Sequence, residues 1–406
     1  MADKLNRRAF LRAGALAAAG ISLNGILAGR AVAHQLAHPM AAPRAALAVN
    51  HNLAATGPAS ARFYRLNDQQ EFFRAYNDNE FGIGFGKPWG LAKLGDPAMV
   101  AANLGGFPFQ PVFIPDPILG QVLYCSVHKL TPAELQLLND KGQPIRTTAR
   151  RLGVIGQSFA SSAFHVNPPD RFSHIEFLVR LPMGIHTERV NGAEITTGID
   201  NTFVGVWLLP DLDRLSTDLA GLQATGAITA DDLQQLRDRF NDLMIEIDLL
   251  EAVGHSSASL SFIMSGLHRQ GPGSGTAAAL YYDGQFFYNT SGPRWLQFMA
   301  DHNAPFDWMK DYLKITFDFA ADGHWRTYFN DIGIVDSYEV LQNSKVPRAE
   351  LLRRIPVRIV STPAGPVPLH YFIIFHAAAG GNWPGLPTAP NDTAVDGMRV
   401  AYLYIS

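Results

Sequence analysis

The chain of 406 residues contains a single cysteine, Cys125. A disulfide framework is therefore excluded, and the lone thiol reads as a core residue and not a nucleophile. Charge is also scarce. Asp, Glu, Lys and Arg make up 17% of the residues, against roughly 25% in typical domains, and the formal net charge is −3. A chain without a cationic excess has no electrostatic footprint for DNA or RNA, so nucleic-acid partners are set aside. What stands in place of charge is 36 Gly, 26 Pro and 11% aromatic residues in a chain that is 47% hydrophobic. This composition fits a loop-rich, largely β, exported protein, long enough for one large β domain or two smaller ones.

The N-terminus supports export. It reads Asn6-Arg7-Arg8-Ala9-Phe10-Leu11-Arg12, then an apolar run from Ala13 to Gly29, then Ala31-Val32-Ala33. A paired arginine before a modest apolar run and a small-x-small site marks residues 1–33 as a twin-arginine export signal. The alternative, a membrane anchor, asks for a longer run less rich in Ala and Gly. The expected location is periplasmic or secreted, with no stable membrane anchor after cleavage. Export of an already folded chain agrees with a fold that does not depend on oxidation. Cleavage after Ala33 exposes His34, with His38 close behind. An N-terminal histidine can chelate copper, which makes a copper oxygenase the rival reading of this end. Residues 34–60, rich in Ala and Pro, read as a flexible leader.

Residues 61–149 carry mixed signals: a short helix near Asp68 to Tyr76, and turns at Gly82, Gly84, Gly86, Gly105 and Gly106. Thr131-Pro132-Ala133-Glu134 is a capping box that predicts a helix to about Asn139. This segment is expected to pack onto the main domain. From about Leu152 strand follows strand. His174 to Leu181 sets Glu176, Leu178 and Arg180 on one face and Ile175, Phe177 and Val179 on the other. Leu313 to Phe319 alternates likewise, with Lys314, Thr316 and Asp318 against Leu313, Ile315, Phe317 and Phe319. Tyr281 to Phe287 contains an Asp-Gly hairpin signal. Short strands separated by Gly and Pro turns predict a sandwich or barrel. Residues 211–242 interrupt them with helical signals: Thr229 and Asp232 form a capping box, and Ile228 and Leu233 a hydrophobic staple.

Directly after this insertion comes Glu246-Ile247-Asp248-Leu249-Leu250-Glu251, followed by Ala252-Val253-Gly254-His255. Periodicity favours a helix here. Leu233, Leu236, Phe240, Leu243, Ile247 and Leu250 recur at steps of three and four, which would leave the glutamates on a solvated face. In a strand, Glu246 and Asp248 share a face, and one bulge residue brings Glu251 onto it in place of Leu250. Three carboxylates would then line one cleft. Retaining glycoside hydrolysis uses a carboxylate nucleophile and a carboxylic proton donor about 5 to 5.5 Å apart. Crowded like charges also raise the pKa of at least one member, which keeps an acid protonated near neutral pH. The strand reading requires the helix to end near Asn241-Asp242.

Two stretches weigh against the helix. Phe372-Ile373-Ile374-Phe375-His376-Ala377-Ala378-Ala379 runs into Gly380-Gly381-Asn382-Trp383-Pro384-Gly385, and Met398 to Tyr404 forms a last strand. This closely resembles the C-terminal end of glycoside hydrolase family 16, the laminarinase-like β-glucanases. In that family an apolar strand enters a Gly-Gly-Asn-Trp-Pro-Gly turn, and a last strand begins with Met and ends in Tyr. The same family carries Glu-Ile-Asp-x-x-Glu, often followed by Val-Gly-His, matched here by Glu246 to Glu251 and Val253-Gly254-His255. Weaker echoes are His174-Ile175-Glu176 to Leu181-Pro182, Val206-Trp207-Leu208-Leu209-Pro210, and Ser265-Gly266-Leu267-His268. The resemblance covers about residues 150–406.

The resemblance implies an all-β fold, a β-jelly-roll sandwich with a helical insertion before the catalytic strand and a polysaccharide or oligosaccharide on its concave face. It implies Glu246 as nucleophile, Glu251 as general acid and then base, and Asp248 as the neighbour that orients them. The substrate it suggests first is β-1,3-glucan. His268 matches a family histidine beside the active site, with a structural histidine as the alternative. Aromatic faces stack on sugars, so Trp207 and Trp383 are candidate subsites, Trp207 being equally a core candidate. Asn382 either holds a sugar hydroxyl or forms the turn. No cofactor is required. Calcium is common in the family as a structural ion, although no acidic cluster here commits to it. The expected state is a monomer. The chain departs from the family at Leu178, where an arginine is expected, at Ala401 for an aspartate, at His376 for an asparagine, and in the helical insertion. A lectin-like protein that kept the fold and lost turnover is the rival from another class. Transglycosylation would use the same carboxylates.

Overall fold

The computed structural model describes residues 61–83, 112–129, 132, 159–169, 172–190, 192–243, 245–257, 261–269, 290–337, 356–379 and 387–406. In chain order the strands are β1 (Arg62–Arg65), β2 (Phe81–Ile83), β3 (Val112–Asp116), β4 (Gly120–Lys129), β5 (Phe159–Val166), β6 (His174–Arg180), β7 (His186–Val190), β8 (Ala193–Thr197), β9 (Thr202–Pro210), β10 (Ile245–Gly254), β11 (Phe262–Arg269), β12 (Thr290–Ser291), β13 (Leu313–Phe319), β14 (Trp325–Phe329), β15 (Ile332–Asp336), β16 (Ile359–Thr362), β17 (Gly365–Pro368), β18 (Tyr371–Ala379) and β19 (Val395–Ile405). The helices are α1 (Gln69–Asn77), α2 (Leu212–Ala224), α3 (Ala230–Asp238), α4 (Phe240–Leu243) and α5 (Gly292–Asp301). Among the described residues no helix is long and apolar enough to cross a membrane.

The fold is the all-β jelly-roll sandwich expected from the sequence. One layer runs β12-β11-β10-β9-β18-β5, and the other runs β4-β19-β6-β13-β14-β15. They join where β4 pairs with β5, from Val127 opposite Ser161 to Lys129 opposite Phe159. All these pairings are antiparallel. Beyond the joint the layers face each other, β9 against β19 and β10 against β13. Phe375 of β18 meets Phe177 of β6 edge-on with ring centroids 5.4 Å apart, and stacks on Phe164 of β5 at 4.7 Å. The alternation read in β6 and β13 sorts as expected, since Ile175, Phe177, Val179, Leu313, Ile315, Phe317 and Phe319 all enter the core between the layers.

The boundary expected at residue 150 does not divide the fold. Strand β4 lies between β5 and β19, β1 pairs with β19, β3 with β4, and β2 with β5, so the described residues 61–83 and 112–129 supply strands of the sandwich itself. Strand β4 gives no alternating signal because both its faces are covered. Leu123, Cys125 and Val127 face the main core, while Val122 and Tyr124 join a second cluster with Ile114, Leu178, Tyr312, Ala401 and Tyr402. Cys125 is fully buried and burial pushes its thiol up, as befits a core residue. Gly82, expected in a turn, pairs with His165, whose ring fills the space a Cβ would need. The helix expected near Asp68 is α1, with Asp68 accepting the N–H groups of Gln70 and Glu71. Residues 1–60 lie outside the described residues, and with them the export signal, His34 and His38. So do the hairpin signal at 281–287, the box at Thr131 and the other expected glycine turns.

The insertion forms as its local signals predict. Thr229 accepts the N–H of Asp232 at 3.1 Å while Asp232 accepts that of Thr229 at 2.9 Å, and Ile228 and Leu233 are buried. The helical stripe does not continue: α3 stops at Asp238, α4 lasts one turn, and Ile245 begins β10. Two flanking partner strands override the periodicity, turning Ile247 and Leu250 into core positions of a sheet.

The far end of β10 is held by a strap, Pro182 to Ile185. Its consecutive N–H groups go to two carboxylates: Met183 (3.2 Å) and Gly184 (2.8 Å) to Asp396, and Ile185 (2.8 Å) to Asp200. Asp200 also accepts both the N–H and the hydroxyl of Ser256. Gly184 has a φ of +71°, and its missing Cβ leaves room for the backbone of His255. Burial pushes Asp396 up to about 6, against the opposing effect of its backbone N–H donors and of nearby His186. An unfolded aspartate titrates near about 3.9, so between those values the folded protein holds the extra proton and stability falls as pH rises. Asp116 has the opposite sign. Burial alone would raise it, but Arg399 at 2.7 Å, with Tyr312, outweighs burial and holds it below the usual range, so its contribution is lost on acidification. Asp396→Asn is predicted to gain stability relative to the wild type as pH rises from about 4 to about 6. Denaturant unfolding at both ends of that range reads this directly, and parallel wild-type and variant profiles would refute it.

Candidate active site

Strand β10 carries Glu246, Asp248 and Glu251 between β9 and β11. Against β11, Glu246 stands opposite His268, Asp248 opposite Gly266, and Glu251 opposite Met264. Against β9, Asp248 stands opposite Trp207, Leu250 opposite Val206, and Glu251 opposite Gly205. The register shifts between Asp248 and Leu250, leaving Leu249 as one residue more than β9 supplies. This is a β-bulge, and it reverses the facing of everything after it. In a regular strand Glu251 would face away from Asp248; with the bulge, Glu246, Asp248 and Glu251 occupy successive places on one face. The opposite face of these strands is core: Val204, Val206 and Leu208 of β9, Ile247, Leu250 and Ala252 of β10, and Ile373, Phe375 and Ala377 of β18. Ser265 of β11 donates its hydroxyl to the backbone carbonyl of Asp248 at 2.8 Å, which ties the start of the bulge to the neighbouring strand.

The three carboxylates are 0%, 0% and 1% exposed. Trp207 comes to the same face from β9, and its indole N–H donates to Oε1 of Glu251 at 3.2 Å. That geometry depends on Gly205. A Cβ there would lie 2.6 to 2.8 Å from Cε2, Cζ2 and Nε1 of the indole, so the ring passes over a residue that has no side chain. Gly205 is also in register with His376 of β18. The His376 ring lies 5.3 Å from Trp207 and 6.2 Å from Phe203, and Phe203 lies 6.0 Å from Trp207.

Trp207 therefore does not offer a free face to a sugar. At 1% exposure it is packed between Phe203 and His376, and its contribution to the site is the hydrogen bond that fixes one oxygen of Glu251. The register puts His268 opposite Glu246. Asn382 and Trp383 lie outside the described residues. Gly205 and Phe203 were not singled out by the sequence, Ser265 only as part of a weaker echo of the family, and His376 only as a departure from it. The signal that finds Gly205 and Phe203 is the period of two along Phe203-Val204-Gly205-Val206-Trp207, where valines alternate with the residues of the site. Among the described residues no group of three or more His, Cys, Asp or Glu side chains is placed to hold a metal ion.

No family model matches the chain, and no curated protein matches it. Among solved structures it is similar to the laminarinase catalytic domain from Thermotoga maritima, at 14% identity and a TM-score of 0.35 over 70% of this chain and 76% of that one. It is similar to the laminarinase from Flavobacterium sp. UMI-01, at 12% identity and a TM-score of 0.38 over 81% and 93%. A β-1,3-1,4-glucanase (lichenase) derived from a mouse hindgut metagenome gives 8% identity and a TM-score of 0.38 over 86% and 99%. These are loose superpositions at low identity, and the chemistry of the site rests on the residues of this chain.

Proposed function

We propose that the chain is a retaining glycoside hydrolase of the family 16 kind, cleaving internal β-glycosidic bonds of a polysaccharide, with β-1,3-glucan as the first candidate. The observation that carries the reading is the bulge at Leu249, which sets Glu246 and Glu251 on one face on either side of Asp248. Glutamate side chains are long enough to converge over the shorter aspartate. Glu246 attacks the anomeric carbon while Glu251 gives its proton to the glycosidic oxygen; the C–O bond breaks and a glycosyl ester forms on Glu246. Glu251, now ionised, takes a proton from water as that water attacks the same carbon, releasing the sugar with its configuration retained. The indole N–H of Trp207 donates to Oε1 of Glu251 and orients the carboxyl group. Asp248 stands between the two and orients them.

The direct test is release of reducing sugar by the purified mature protein from a panel of β-glucans and galactans, run beside Glu251→Gln. The carboxylates are buried, so the panel includes short oligosaccharides as well as polymers. Cleavage that disappears in the variant supports the reading and names the substrate class. Binding without turnover across the panel would move the assignment to a lectin-like protein, and products longer than the substrate would identify a transglycosylase. Export by the twin-arginine route belongs to the same proposal. The double variant Arg7→Lys, Arg8→Lys is predicted to hold the precursor in the cytoplasm, and undiminished export of that variant, read by cell fractionation, would remove this part.

A further inference from the structure

Glu251 and His376 share a cross-strand neighbour, Gly205, which pairs with Glu251 on one side and His376 on the other. Any side chain at 205 would stand between the carboxylate and the imidazole. Glycine leaves that space to the indole of Trp207, whose ring lies 5.3 Å from the imidazole and whose N–H ends on Glu251. We propose that His376 is a positioning residue for the acid–base group, its charge setting the pH at which Glu251 gives up its proton. The inference deepens the hydrolase reading, and its first test does not depend on turnover.

Two strand spacings of about 4.8 Å separate β18 from β10, so charges on the two side chains stand roughly 10 Å apart. Both residues are buried, at 3% and 1% exposure, where solvent ions screen little. From β9 the imidazole faces Phe203, Gly205 and Trp207, none of them charged. Beyond them β10 brings Glu251 and, in register with Trp207, Asp248. From β5, Ala163 stands directly opposite His376, and His165 stands opposite Ile374. An imidazole changes charge between about pH 5 and 8, the range in which a glycosidic acid must hold its proton. Neutral His376 with protonated Glu251, and imidazolium with ionised Glu251, carry the same number of protons. The pair chooses between these forms by its mutual interaction, and the imidazolium form removes the acid. Asparagine, which the resembled family carries at this place, offers no such exchange.

The experiment follows the histidine ring signals of the full protein by NMR across the titration, with the His376 signal identified by its loss in His376→Asn and in His376→Gln. Glu251→Gln is expected to lower the titration midpoint of His376 by about one pH unit, the size of a unit-charge interaction at this range in a partly screened interior. A midpoint that Glu251→Gln leaves unchanged overturns the proposal, whatever the activity. A shifted midpoint in a protein that cleaves no glycan upholds the coupling and removes the hydrolase reading instead. In active protein, the alkaline limb of kcat/KM is expected to move up by about one unit in either His376 variant. An unmoved limb also overturns the proposal.

Discussion

Replacing Glu246 by glutamine is expected to lower glycan cleavage on the order of ten-thousandfold or more, with thermal unfolding within a few degrees of the wild type. Glutamine keeps the shape of glutamate and cannot form the glycosyl ester. Of its two neighbours on the same face, Asp248 is one carbon shorter and Glu251 accepts the indole N–H of Trp207, so neither is expected to substitute for it. The fold should tolerate the change because the three carboxylates are buried on one face, and removing one charge from a cluster of like charges relieves repulsion. Glu251→Gln should behave differently. It removes the acid, so natural glycans are no longer cleaved, but a glycoside with a good leaving group still transfers its sugar to Glu246. Added azide, which needs no general base, should then release the sugar. Wild-type rates in Glu246→Gln, measured on a substrate the wild type cleaves, would end the assignment.

Gly205→Ala is the second substitution with a large expected effect, although it touches no carboxylate. The new methyl would fall 2.6 to 2.8 Å from the Trp207 ring. The backbone cannot retreat, since Gly205 is paired with β10 and β18 on its two edges and its neighbours Val204 and Val206 are buried in the core. The indole must move, and Glu251 loses the donor that fixes its oxygen. We expect kcat/KM to fall roughly a hundredfold, the usual result of a misplaced catalytic group, together with about 1 to 3 kcal/mol of stability from overpacking. Gly221→Ala is the control: it lies in α2 with open space around its Cβ and should be neutral or slightly stabilising. Unimpaired turnover in Gly205→Ala would show that the Trp207 contact is dispensable.

The sequence was most legible where a local signal is also the deciding one. Asp68 and Thr229 announce α1 and α3 because capping satisfies backbone donors wherever a helix starts. The β6 and β13 faces follow from a period of two set by a core on one side. Legibility failed where both sides of an element are covered. Strands β9, β10 and β18 are buried along their whole length and β4 through its middle, Val122 to Cys125, so polarity gives no period, and the stripe from Leu233 to Leu250 can mimic a helix. The membership of β1 to β4 in the sandwich depends on long-range pairing that no local pattern encodes. In the site, the carboxylates were visible as a cluster, and their common face follows from a single extra residue, Leu249. The role of Trp207 was not visible, because a tryptophan that stacks on sugar and one that donates to a carboxylate look alike until Gly205 is seen beneath the ring. His376 showed only as an unusual residue, and its neighbours on β9 give it meaning.

The central claim, that Glu246 becomes covalently attached to the sugar while Glu251 manages the proton, is tested most directly by mass. Glu251→Gln protein is mixed with an aryl β-glucoside of the cleaved linkage, bearing a leaving group that needs no acid. The account predicts a mass increase of one glycosyl unit, mapped after digestion to the peptide carrying Glu246 and absent from the Glu246→Gln, Glu251→Gln double variant. A label on another carboxylate, or steady release of the aryl group by the double variant, would contradict it.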